Sequence, residues 1–115
     1  MAVYEFLRKI PLFAEMTESD LQSLCLIVQD IDLPAGQMLF EEGSEGDTAY
    51  IIESGEVDIV KTSDNREILL AVRKPGDVFG EMALLLDQPR SAGVRARTDT
   101  KMIGISRADL RNLLQ

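Results

Sequence analysis

Two short clusters in the second half of the chain carry the residues with chemical potential. Phe79 to Ala96 reads F-G-E-M-A-L-L-L-D-Q-P-R-S-A-G-V-R-A. A Gly-Glu pair opens an apolar run, and a Pro-Arg-Ser triplet follows nine residues on. Met82, Ala83, Leu84, Leu85 and Leu86 are strong helix formers, and Gly80 permits a close backbone approach just before them. A helix beginning there would present unpaired N–H groups and the positive end of its dipole, a natural seat for an anion. Pro89 ends the expected helix. Arg90 shares strand parity with Ala92, Val94 and Ala96, which turns the guanidinium toward the apolar face. An inward arginine requires a buried carboxylate or an incoming anion.

Glu81 narrows the kind of anion. A site for phosphate alone would not hold a carboxylate beside it, because like charges repel. A carboxylate does suit a ribose hydroxyl, with the helix N–H groups and Arg90 taking the phosphate. One arginine and one short helix match a singly charged phosphodiester better than a triphosphate. No G-x-x-x-x-G-K-[ST] loop is present, and the segment contains no lysine. The combination points to a nucleoside 3′,5′-cyclic monophosphate. A structural alternative stands beside it: Glu81 as ordinary dipole compensation and Arg90 as its ion-pair partner.

F-G-E-M-A-L-L and P-R-S-A-G-V-R-A resemble the phosphate-binding cassette of the cyclic-nucleotide-binding domain family, which includes catabolite activator proteins, regulatory subunits of cyclic-AMP-dependent kinase and cyclic-nucleotide-gated channels. The likeness runs from about Phe6 to Gln115. It implies that Glu81 receives the ribose 2′-hydroxyl and that Gly80, Met82 and Ala83 offer backbone contacts. It also implies that Arg90 binds the phosphate and Ser91 adds a hydroxyl. Ile59 and Leu70 would wall the base, with plain core packing as their alternative. A threonine in place of Ser91 favours guanine in some members, and serine resembles the bacterial cyclic-AMP receptors. The implied ligand is therefore cyclic AMP, with cyclic GMP possible. The family's lid over the base normally comes from a longer helix than the residues at the end of this sequence provide.

Composition bounds what else the chain could do. At 115 residues it matches one domain able to bury a modest core. It is 45% hydrophobic and 28% charged, with a formal net charge of −8, which speaks against a nucleic-acid-binding surface. Residues 1–60 hold 13 acids and 2 bases, whereas residues 61–115 hold 7 acids and 10 bases, so the basic half carries the anion motif. Histidine is absent, which removes the commonest general base and metal ligand. With Cys25 as the sole cysteine, no Cys/His metal set and no Cys–His or Ser–His nucleophile pair can form. These facts predict no catalysis, no metal and no cofactor. Without a membrane-length apolar run, a signal pattern or a possible internal disulfide, the expectation is a cytoplasmic protein.

The elements that must position the cassette follow from periodicity. Residues 3–9 read as a short amphipathic helix ended by Ile10-Pro11, and Leu12 and Phe13 as an apolar elbow. Thr17 is a candidate N-cap for a helix to about Gln29, with Leu21, Leu24, Cys25, Ile27 and Val28 on its apolar side. From Ile31 short strands alternate with turns at 34–36, 54–55, 63–66 and 75–77. Glu41 to Asp47 is an acidic loop that lacks calcium-loop spacing. Ser106 is a candidate N-cap for a last helix whose apolar side is Leu110, Leu113 and Leu114. The expected fold is mainly β: an eight-stranded antiparallel β-roll, a jelly-roll-like barrel, with helices at both ends. Its expected divisions are amino-terminal helices over 1–30, the roll over 31–106 with the cassette at 79–96, and a carboxy-terminal helix over 107–115.

Two functions fit this reading. The first is a cyclic-nucleotide sensor that repacks its helical flanks and signals to an effector domain or protein in cis or in trans. The second is an interaction module that keeps the roll without binding nucleotide. Neither specifies an oligomeric state.

Overall fold

The computed structural model describes residue 8, residues 13–84 and residues 86–114, apart from the side chains at positions 81, 113 and 114. The helix expected over residues 3–9 lies outside the described residues except for Arg8, which is helical. Leu12, Leu85 and Gln115 also lie outside them.

Helix α1 spans Glu18–Ile27. Thr17 caps it as expected: its hydroxyl accepts from the Asp20 N–H at 3.1 Å, and Glu18 and Asp20 face the positive end of the dipole. Leu21 and Leu24 are buried, and Cys25 packs partly buried against the same cluster. Burial raises the Cys25 thiol pKa. The chain then enters the strands β1 (Gln29–Leu33), β2 (Met38–Phe40), β3 (Thr48–Ser54), β4 (Val57–Ser63), β5 (Arg66–Arg73), β6 (Val78–Phe79), β7 (Gly93–Ala96) and β8 (Thr100–Ser106), and ends in α2 (Arg107–Leu114). Ser106 caps α2, accepting from the Asp109 N–H at 3.1 Å. The β4–β5 hairpin closes on Asp64 and Asn65, both at positive φ (52° and 64°), as a tight hairpin turn requires. None of the described helices is long and apolar enough to cross a membrane.

The strands form two antiparallel four-stranded sheets, in the orders β1-β8-β3-β6 and β2-β7-β4-β5. The roll is therefore an open pair of sheets, not a closed barrel. Strand alternation divides its core. Ile103 and Ile105 of β8 and Ile51 of β3 face the helices, where they meet Phe13, Leu21, Leu24 and Leu110. Their neighbours Met102 and Ile52 face inward, onto Val57, Phe79, Val94 and Ala96. A period of two thus lets the first sheet serve both layers. The second sheet buries one face and leaves much of β5 exposed, and its concave side holds the cavity described next.

Candidate functional site

Arg90 is the one charged residue among those described that is fully buried, at 8% exposure. It precedes β7, so strand parity does not orient it. The acidic loop does. The Arg90 N–H donates to the Ser44 carbonyl at 2.8 Å, and the Gly43 N–H donates to the Arg90 carbonyl at 2.7 Å. The side chain then runs beneath Gly46, where a Cβ would overlap the guanidinium, so only glycine leaves room. Nη2 donates to the Thr48 carbonyl at 2.8 Å, and the guanidinium carbon stands 4.2 Å from the Phe40 ring centroid and 5.9 Å from that of Tyr50. These are cation–π distances. Phe40, Tyr50 and Phe79 pack on one another, with Tyr50 and Phe79 stacked at 5.3 Å.

This cradle holds the cation without neutralising it. Nε is buried with no hydrogen-bond partner, and among the described side chains no carboxylate lies within 4.0 Å of the guanidinium. Burial draws the Arg90 pKa below its ordinary value, opposed by the Tyr50 phenol and by Asp47. Burial likewise raises the Tyr50 pKa, against the pull of the Arg90 charge. A desolvated cation with an unmet donor is costly to hold, and an anion placed against it would recover that cost.

The cavity in front of Arg90 has a volume of about 360 Å³. Gly80, Met82, Ala83, Arg90, Ser91 and Ile59 all line it, so these expected residues come together. Gly80 adopts φ +75°, and a Cβ there would stand 2.9 Å from Nη1 of Arg90. Met82 is 57% exposed at the rim, Ala83 is buried and Ser91 is exposed on the wall. Glu81 opens the cassette turn, and its side chain lies outside the described atoms. Leu70 is not brought in. It is 54% exposed and does not line the cavity. The reason is local: β5 partners step from Leu69 opposite Val60 to Ala71 opposite Ile59, leaving Leu70 as the extra residue of a β-bulge.

The cassette helix is shorter than its composition suggests. It is a single 3₁₀ turn, Glu81–Leu84, in which the Ala83 N–H donates to the Gly80 carbonyl at 3.1 Å; one further bond joins Leu86 N–H to the Met82 carbonyl at 2.8 Å. Arg107 accounts for the stop. Its Nε donates to the Ala83 carbonyl at 2.8 Å and its Nη2 to the Leu86 carbonyl at 3.0 Å, so a side chain satisfies acceptors that a longer helix would have used. The Arg107 N–H also donates to the Asp47 carbonyl at 2.7 Å.

Sequence reasoning missed Phe40, Arg73 and Val94 as lining residues, and it missed the 41–47 loop as the holder of Arg90. Two glycines in an acidic loop were the available signal. Nothing in their spacing said which side chain they would admit.

Fold and site together set a glycine-led turn and a buried arginine without a carboxylate partner among the described side chains around one cavity of an open β-roll. Comparison with known proteins makes the class specific. Residues 30–115 match the model of the cyclic nucleotide-binding domain, and this chain belongs to that family. It is 36% identical over 113 residues to a cAMP-dependent protein kinase regulatory subunit of Emericella nidulans, covering 97% of this chain and 27% of that protein. Its fold matches a cyclic nucleotide-binding-like protein from Brucella abortus with a TM-score of 0.91 and 33% identity, over 96% of both chains. The regulatory domain of Toxoplasma gondii PKA, solved with cAMP, also gives a TM-score of 0.91 at 33% identity, over 97% of this chain and 43% of that one. The chain spans about a quarter of the length of the kinase regulatory subunits it matches.

Proposed function

We infer that this chain is a cyclic-nucleotide sensor module, with cyclic AMP as its ligand and no chemistry of its own. The observation that carries this reading is Arg90: a buried guanidinium with an unmet Nε at the wall of a cavity of about 360 Å³. That volume falls in the range of small-ligand sites. The cyclic phosphate pairs with Arg90, Ser91 adds a hydroxyl, and Glu81 accepts from the ribose 2′-hydroxyl. The base lies against Ile59 and Val94. The cAMP-bound parasite relative and the kinase regulatory subunits support cyclic AMP as the ligand.

The signal is a population shift. Arg90 touches the 41–47 loop, and the same loop receives the first N–H of α2 through the Asp47 carbonyl. The cassette turn is tied to α2 by the Arg107 side chain. Ligand that tightens the cassette around Arg90 therefore biases α2 by two routes, and the helical flank repacks. An attached domain, or a partner in trans, reads that change.

A thermal-shift screen tests the reading with cyclic AMP, 2′-deoxy cyclic AMP and linear AMP. A ligand at 100 times its Kd stabilises the native state by about 2.7 kcal/mol. Cyclic AMP should raise Tm, the 2′-deoxy form should raise it less, and linear AMP should leave it unmoved. No shift with any cyclic nucleotide would leave a roll used only as an interaction module.

A further inference from the structure

Strand β4 outruns its neighbour β7. The two pair from Val57 opposite Ala96 to Val60 opposite Gly93, and β4 then continues to Ser63 while the chain that carries Arg90 and Ser91 lies outside the sheet. An unbroken ladder would set Thr62 against Ser91. A side chain takes that place instead: the Thr62 N–H donates to Oε1 of Glu42 at 2.8 Å. The carboxylate satisfies a backbone donor that β7 leaves open.

Glu42 lies in the turn from which Arg90 is hung. Residues 41–44 close on themselves, with the Ser44 N–H and hydroxyl donating to the Glu41 carbonyl at 3.2 and 2.6 Å. The same turn binds both backbone groups of Arg90, through the Gly43 N–H and the Ser44 carbonyl. Among the described residues, no other hydrogen bond joins residues 41–47 to β4. One contact therefore fastens the holder of the guanidinium to the strand that places Ile59 on the cavity wall. We propose that Glu42 is a positioning residue for the anion site, latching the loop that carries Arg90 onto β4 so that the guanidinium stays aimed into the cavity. This rests on the sensor reading above. It extends that reading from the groups that meet the ligand to one that acts through Arg90.

Charge and position make opposite predictions. A carboxylate near an anion site repels the anion, so by charge alone its removal should tighten binding. Removal of a latch should loosen it. Glu42→Gln discharges the side chain but keeps a carbonyl acceptor for Thr62, whereas Glu42→Ala removes both.

The test is calorimetric titration of cyclic AMP into the parent, Glu42→Ala and Glu42→Gln, paired with heteronuclear NMR of the Arg90 Nε–H in each ligand-free protein. The Nε atom is buried, so its hydrogen should exchange slowly while the loop is fastened. Glu42→Ala should weaken binding about 5- to 50-fold, the scale of one hydrogen bond to a charged acceptor, and should speed that exchange. Glu42→Gln should stay within about twofold of the parent in both readouts, because the acceptor is retained. Affinity in Glu42→Ala equal to or tighter than the parent's, or an equal loss in both variants, would overturn the assignment while leaving cyclic-nucleotide binding intact. Unchanged Nε–H exchange in Glu42→Ala would overturn it as well. No binding by the folded parent would instead overturn the sensor reading, and the exchange measurement would still decide the role of Glu42. Thermal melts confirm that each variant is folded.

Discussion

The two sheets of the roll are made from similar alternating strands and are used in opposite ways. In β1-β8-β3-β6 the central strands are sealed on both faces: Ile52 and Ile103 are 0% exposed and Ile51, Met102 and Ile105 are 1%. No charged side chain is buried there. In β2-β7-β4-β5 the outer strand keeps Ile68, Leu69 and Leu70 about half exposed, and the concave face ends at a desolvated guanidinium with an unmet donor. The first sheet is mainly an apolar frame, and only Thr48, Tyr50 and the short strand β6 at its end reach the Arg90 cradle and the cavity. The other holds a deficit that a ligand can fill. Stability and binding should therefore separate by sheet, and substitutions can break or sharpen that division.

The largest effect belongs to the frame. Ile103→Ala removes a fully buried side chain from the contact between β8 and the helices, and should lower stability by ~2–5 kcal/mol in urea denaturation. A loss well under 1 kcal/mol would mean that this layer is not the frame. Next comes the tie between the sheets and α2. Arg107→Ala strips partners from the Ala83 and Leu86 carbonyls and should cost ~1–3 kcal/mol. Because those acceptors sit on the cassette turn, the same variant should also weaken cyclic-nucleotide binding, which Ile103→Ala should spare once the protein is folded. Equal affinities in Arg107→Ala and parent would cut the proposed link. The smallest effect is at the edge of the frame. Thr17→Ala removes the α1 cap and should lower stability by ~1 kcal/mol with no change in ligand affinity. A binding defect in that variant would show α1 to be part of the site.

What could be read from sequence divides along the same line. The frame was legible because it follows local rules: the turns expected at 34–36 and 75–77 do separate β1 from β2 and β5 from β6, and the Thr17 and Ser106 caps lie where an oxygen side chain precedes an apolar run. The first strand begins at Gln29, where helical periodicity had carried the expected helix to its end, because Val28 is already extended. The cassette was legible as a pattern of residues and less so as geometry. Its composition favours helix, yet Arg107, 24 positions from Ala83 and 21 from Leu86, takes the carbonyls and leaves a single turn. Arg90 faces inward as expected, but by loop bonds to Ser44 and Gly43 and not by strand parity. Leu70 missed the cavity because a bulge cannot be seen in the continuous apolar run Ile68 to Val72. Long-range partners decide each of these cases.

The claim that everything turns on is that the buried Arg90 charge is there for an anion and not for the fold. Calorimetric titration of cyclic AMP into parent and Arg90→Ala, with melts run alongside, asks this directly. The account predicts that Arg90→Ala melts near the parent, since a desolvated cation lacking a carboxylate adds little to folding. It predicts a binding loss of ~2–5 kcal/mol, roughly 30-fold to several-thousand-fold. Equal affinity for cyclic AMP in the two proteins, with both folded, would contradict it.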